Sequence, residues 1–343
     1  MFDKLKDTNQ LLMKAELKPV QGDIFQPTGF PDIGAATYEL PDGSRMILVE
    51  SAQSMANRLE AQIVGSDGGL LPEFKGLSYI KVQMEGGSTA TTTSLIEAHR
   101  LNSPFIISDK KFQDQFKKEA DYEKGKHLNW QKIAKTLFMY DVNCLLHGIF
   151  LANLEDGRIK VPRALSAFIE ARGVREAVNG GVKFNRLDPT GTLRAENYDE
   201  NVYGNVIFQR VEYTAETITA YFNLDLDLLR SYRLPPEATE LLMLLALYKI
   251  RAFLDRSIRL RSRCHLAVVN GLKVTEPQKY EVPATVDLLK DLQTSIGKCK
   301  KHFAEPPVKE IITKVVIKKK TENTEATEQE QNTDSSETED GPK

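Results

Sequence analysis

What the sequence has little of already narrows its function. Of 343 residues only three are cysteines, Cys144, Cys264 and Cys299. They lie far apart with no CxxC spacing, which argues against a disulfide framework or a structural zinc site and leaves three buried or inert thiols. No apolar run approaches the roughly 20 residues that span a bilayer. The start, MFDKLKDTNQ, has no apolar signal-peptide core, so a cytoplasmic protein without a membrane partner is expected. Five histidines (His99, His127, His147, His265, His302) make no HExxH or HxH pair. There is no GxSxG elbow, no GxGxxG after a strand and no GxxxxGK[ST] loop. Asp225 and Asp227, two apart at a helix start, are accounted for by the macrodipole. The expectation is a protein with no catalytic residue, metal site or cofactor. The final 23 residues, 321–343, lack any aromatic or large aliphatic side chain and carry eight acids against Lys343, a net of −7, so they read as a disordered tail. The preceding 320 residues hold 45 basic and 40 acidic side chains, a net of +5. Such a body permits nucleic-acid binding without demanding it.

What is present centres on Arg45–Gln62, RMILVESAQSMANRLEAQ. A stiff apolar run reaches Glu50-Ser51 and then changes to helical spacing, which reads as strand, junction and helix with Ser51 as N-cap. Gln53 and Asn57 fall on one flank of that helix and Ser54 and Arg58 on the next. Amides and a guanidinium beside a helix N-terminus suit an anion, although an ordinary solvated face would look the same. Upstream, Leu11–Leu17 alternates as a half-buried strand, and 36–40 with 44–50 makes a hairpin across Pro41-Asp42-Gly43.

Farther along, 78–84 reads as a strand and the hydroxyl-rich 86–93 as either a solvated turn or a phosphate-touching loop. Ser94…Glu97 has the form of a capping box opening a helix that ends near Arg100. Lys110–Lys126 reads as an inserted surface helix and Trp130–Tyr140 as another helix. Val142–Leu151 has buried-strand length, with His147 as a satisfied core residue. The stretch after Leu165, to Arg172, looks helical. Lys183, Arg186 and Arg194 bracket a turn at 187–191. Asn205–Tyr213 and Glu216–Phe222 read as two strands, a hairpin or a bent pair. A helix after Pro235-Pro236 is apolar nearly all round in its first half, and its far end gathers Lys249, Arg251, Arg256, Arg259, Arg261 and Arg263, a basic stretch that a helix C-terminus also favours.

Several blocks stand in one order: LVESAQSMANRLE (48–60), EAHRLNSP (97–104), KVPRALSAFIEARG (160–173), FNRLDPTG (184–191), EYTAETITAYFNLDLDLLRSYRL (212–234) and IRLRSRCHL (258–266). Together they resemble the Cas-seven RAMP backbone subunit of CRISPR effector complexes, in its type I-U (I-G) form. His265 stands where that family often has an acid. The resemblance implies an α+β fold, an RRM-like, ferredoxin-type RAMP core over 1–305 with helical and β-hairpin thumb or finger insertions at about 65–140 and 175–222. A basic extension, 306–320, and the acidic tail would follow. It further implies a non-catalytic subunit that polymerises along CRISPR RNA and belongs to a Cascade complex pairing guide with target DNA. Its partners would be the guide, target DNA through the guide, other copies of itself and other Cascade subunits. Coating any spacer sequence requires backbone rather than base contacts, and the chain lacks the aromatic RNP1 signature, so base stacking on the sheet is not expected. Candidate RNA-contacting residues are Gln53, Asn57, Arg58, Arg100, Arg163, Lys183, Arg186, Arg259 and Arg261. Two readings from other classes stay open. One is a metal-dependent RAMP ribonuclease using Asp188 or Asp109; the other is a protein-interaction module without nucleic acid.

Overall fold

Leu11, Met13, Ala15 and Leu17 are buried along Gln10–Pro19 (β1), while Lys14, Glu16 and Lys18 face solvent, the period of two that pleated backbone imposes. The computed structural model describes residues 2–30, 33–85, 90–193 and 204–314. Thr37–Glu39 (β2) and Arg45–Glu50 (β3) form the expected hairpin, with Gly43 at φ +80° in its turn. Ala52–Glu60 (α1) starts at once, and the Ser51 hydroxyl accepts from the Ser54 amide. Tyr79–Glu85 (β4) and Thr91–Thr93 (β5) open a second sheet, flanked by Lys110–Ala120 (α2) and Trp130–Tyr140 (α3). Leu165–Arg172 (β6), Arg175–Lys183 (β7), Val206–Thr214 (β8) and Thr217–Asp225 (β9) follow. Leu226–Ser231 (α4), Pro236–Leu254 (α5), Ile258–Arg261 (β10), Cys264–Glu276 (β11), Thr285–Cys299 (α6) and Val308–Lys314 (β12) end the described chain.

The main sheet has seven strands in the order β10-β11-β1-β9-β6-β3-β2, every neighbour antiparallel. α1 packs on β6, and α5 packs on α1 and β11, so one face of the sheet is covered by helices. Inward residues of β6 and β9 (Ala167, Ile169, Ala220, Phe222) are buried and their alternates are not, which leaves the other face open. α5 is buried almost all round, from Leu241 to Leu254, as its composition predicts. β7 and β8 form a two-stranded sheet of their own, bridged to the body at Tyr213 and Phe25, and their Val178, Val182, Val206, Ile207 and Val211 stay exposed, a hairpin that leaves the body. β12 pairs in parallel with β4, so part of the expected extension at 306–320 is a strand of the second sheet. The tail at 321–343, Arg194 and residues 86–89 of the hydroxyl-rich loop lie outside the described residues.

Several elements differ from the sequence expectation. The stretch from 166 to Arg172 is strand, not helix: its apolar positions satisfy both periods, and pairing with β9 on one side and β3 on the other decides the outcome. Val142–Leu151 is one helical turn, Asn143–Leu146, and a two-residue strand, because Asp141 accepts from the Asn143 amide and opens a turn. Ser94 does not cap a helix. Its hydroxyl accepts from the Ile80 amide, and Glu97 takes the hydroxyls of Thr92 and Ser103 instead. α2 is a surface helix only on one side, since Phe112 and Phe116 are buried against Tyr140. Arg259, Arg261 and Arg263 lie on the β10–β11 hairpin, where no macrodipole explains them, whereas Arg251 and Arg256 stay at the C-terminus of α5. β8 and β9 are no hairpin: they follow each other in the chain, but β8 pairs with β7 and β9 joins the main sheet. All three cysteines are buried thiols.

Candidate nucleic-acid interface

Glu50 ends β3 with its carboxylate only 1% exposed, a position that an isolated charge could not hold. Two guanidiniums hold it there. Arg58 Nε lies 2.7 Å from Oε1 and Arg261 Nη1 2.5 Å from Oε2, and the Ser54 hydroxyl donates to Oε1. Burial alone would raise the Glu50 pKa, but Ser54, Arg58 and Arg261 outweigh it and keep the carboxylate below its usual range. The arginines also reach across elements. Arg58 Nη2 donates to the Leu260 carbonyl at 2.9 Å, and Arg261 donates to the carbonyls of Gln26 and Val49. One carboxylate thus fastens α1, β3, β10 and the loop at 25–28 into a single surface.

That surface continues into the projecting hairpin. Arg263, in the β10–β11 turn, bonds Glu212 on β8 at 3.1 Å, and Asn179 on β7 donates to the same carboxylate at 2.8 Å. Phe25 and Tyr213 exchange backbone hydrogen bonds at 2.8 and 3.0 Å beside it. A cleft of about 440 Å³ opens between residues 19–24 and the turn, lined by Gln21, Asp23, Arg263 and His265. His265 is exposed and sits 2.5 Å from Ser257 Oγ.

The nine candidate residues fall into three groups. Gln53, Asn57, Arg58, Arg259 and Arg261 converge at the Glu50 cluster. Gln53, Asn57 and Arg259 are exposed, with side chains that make no hydrogen bond or ion pair among the described residues, while Arg58 and Arg261 are fixed structural members with one exposed edge each. Arg100 and Arg163 lie near the other end of α1. Arg100 grips Glu60 through two contacts of 2.6 Å, donates to the Gly148 carbonyl at 2.9 Å and has a left-handed backbone at φ +50°. Arg163 is half-buried beside Gly148, where a Cβ would lie 2.9 Å from the Val161 carbonyl, so only glycine fits. Lys183 and Arg186 stand apart at the far end of the hairpin, exposed and without partners among the described residues.

Beneath the Arg100 group runs a buried polar chain. Lys249 on α5 is 0% exposed and donates to Asn143 Oδ1 at 2.5 Å and His147 Nε2 at 2.9 Å. Burial brings its pKa down to about 8, against the opposing pull of Glu60 and Asp141. His147 is held neutral by burial and by Lys249, so its ring proton belongs on Nδ1, which has no partner. His147 is therefore only half satisfied. The two acids singled out for ribonuclease chemistry cap their own backbones. Asp109 accepts from the Phe112 amide at 2.6 Å, and Asp188 accepts from the amides of Gly191 and Leu193.

Sequence reasoning did not find Glu50 as the anchor, nor the Arg263–Glu212–Asn179 link. The only local signal for the first is an acid placed directly before a helix cap.

No curated protein matches the chain by sequence. Among solved structures it is similar to a subunit of a "CRISPR RNA-guided surveillance complex, pre-nicking", at 15% identity and a TM-score of 0.38 over 85% of this chain and 89% of that one. A second, from a "CRISPR RNA-guided surveillance complex", gives 13% identity and 0.32 over 72% and 60%. Csc2 of Thermofilum pendens gives 12% and 0.31 over 88% and 79%. The family model described as CRISPR-associated protein GSU0053 matches residues 11–176. That segment, which holds β1, the Glu50 anchor, α1 and β6, is thus similar to a CRISPR-associated family over just under half of the chain.

Proposed function

We propose that this protein is a non-catalytic type I backbone subunit, of the I-U (I-G) form, that polymerises along CRISPR guide RNA and contributes to a Cascade-type complex with other subunits. The guide would pair with target DNA, and the protein would work in the cytoplasm. The observation that carries this reading is the Glu50 cluster. It sets Arg58 and Arg261 in place, with Gln53 and Asn57 exposed along α1 and Arg259 exposed on β10 next to Arg58. Donors fixed before binding lose little freedom when a phosphate arrives, and amides and guanidiniums grip sugar-phosphate without reading bases. The strand order β11-β1-β9-β6, with α1 in the first crossover and α5 in the second, supports a ferredoxin-type, RRM-like core. The hairpin β7–β8, carrying Lys183 and Arg186, supports the finger or thumb role.

The test is expression of the full chain with a CRISPR array and measurement of co-purified RNA. Guide RNA is expected with the wild type. Asn57→Ala with Arg259→Ala, both exposed and outside the ion-pair network, should lower retention and flatten the salt dependence by about 0.7 per lost phosphate contact. Wild-type protein free of RNA would overturn the reading.

A further inference from the structure

On the face of the sheet away from α1 and α5, one register row reads Phe168, Tyr221, Lys14, Lys273 across β6, β9, β1 and β11. The rings of Phe168 and Tyr221 stack with centroids 5.2 Å apart and planes 28° from parallel. Tyr221 is 38% exposed although it lies on a central strand of the sheet. Tyr38, on β2, is also exposed and extends the aromatic surface toward the sheet edge, its hydroxyl engaged by Glu170. Beside the rings, Lys14 and Lys273 face each other directly. Both are exposed, and neither has an ion-pair partner among the described residues.

Neither half of this row suits a surface left in water. Like charges directly opposite on antiparallel strands destabilise the pair, and exposed aromatic rings on a central strand forgo burial. The neighbouring acids form no ion pair with the lysines: Glu16 accepts from Asn270, and Glu170 is bonded by Tyr38. A flat ring set next to an anion would satisfy both halves at once. A nucleotide carries that combination: base on aromatic ring, phosphate on ammonium, at the spacing of adjacent strands. A purely apolar protein surface would cover the rings but leave the two cations worse off.

Against the expectation drawn from the missing RNP1 signature, we infer that this row is a stacking platform for single-stranded nucleic acid, holding one or two bases on Phe168 and Tyr221 with flanking phosphates on Lys14 and Lys273. It lies on the opposite face of the sheet from the Glu50 cluster and recognises bases rather than backbone alone. It therefore stands or falls separately from the guide-RNA reading.

The test uses the purified full chain and labelled six-nucleotide strands of uridine, of thymidine and of abasic spacer, read by fluorescence anisotropy. The abasic strand keeps the phosphates and removes the stack. Binding of the uridine or thymidine strand, with the abasic strand weaker by about tenfold or more, is expected. Stronger binding of uridine assigns RNA to the platform; stronger thymidine assigns DNA. Phe168→Leu with Tyr221→Leu should erase the difference between base-bearing and abasic strands. Lys14→Gln with Lys273→Gln, both at exposed positions that cannot unfold the core, should reduce the salt slope by about 1.4. Equal affinity for abasic and base-bearing strands overturns the proposal, as does binding that neither pair of substitutions alters. Asn57→Ala with Arg259→Ala should leave this base-dependent difference unchanged, so failure of the Glu50 surface and failure of the platform are distinguishable.

Discussion

Lys249 shows how much a single buried side chain can demand of its surroundings. Its ammonium is fully enclosed and meets an amide oxygen and a neutral imidazole rather than a carboxylate, with Glu60 and Asp141 acting only from a distance. A folded-state pKa of about 8, below the ordinary lysine value of 10.5, means that the folded protein releases this proton before the unfolded chain does. The charge therefore costs stability below pH 8, and the cost disappears as pH rises toward 10.5, by about 3 kcal/mol at most. Tyrosines and thiols that burial keeps protonated in the folded protein lose their protons in the unfolded chain over much the same range, so the useful quantity is the difference between wild type and Lys249→Met. In urea unfolding from pH 7 to 10.5, wild type should gain on the variant as pH rises; a flat difference would contradict it. At this scale the sequence was partly legible. Ser51 as a cap is local and was read directly, and His147 was read as core. The partners of Glu50 were not, because Arg261 lies 211 residues away and only the fold brings it there.

Elements with one strong period were legible, and those with two were not. β1, the β2–β3 hairpin, α1 and α3 follow from alternation, turn chemistry and spacing. β6 failed because ALSAFIEAR fits a helix as well as a strand, and only its two strand neighbours break the tie. The same lesson applies to β12, seven residues of mixed character that become a strand through parallel pairing with β4, which no local pattern announces. Ile311 faces Val82 across that pair and is 4% exposed, while the Thr313 hydroxyl donates to the Phe105 carbonyl at 2.6 Å. Ile311→Ala should therefore destabilise by about 2–3 kcal/mol in equilibrium denaturation. A variant as stable as wild type would mean that β12 contributes little to holding the second sheet.

Taken whole, the molecule offers two chemically different faces. The helix-covered side carries the fixed guanidiniums of the Glu50 cluster, and the open side carries rings and unpaired lysines. Composition alone indicated a mildly basic body but could not assign its charges to faces, since that depends on strand order. The acidic segment at 321–343 acts on this balance through charge alone, whatever its conformation. Deleting it changes the net charge from −2 to +5. Nonspecific affinity for single-stranded DNA should rise and become more salt-sensitive, measurable by anisotropy at two ionic strengths. Unchanged affinity would show that the segment does not compete for the basic surfaces.

The sheet ends on one side in β2, three residues long, and on the other in β10, four residues long with Arg259 and Arg261 along it. A long, bare edge would let neighbouring molecules continue the sheet from one to the next, a hazard that grows with crowding. Abbreviated, charged margins deny that route. If many copies are lined up on one strand of RNA at high local concentration, these margins limit how they can join, so that spacing along the strand follows the nucleic acid rather than sheet growth.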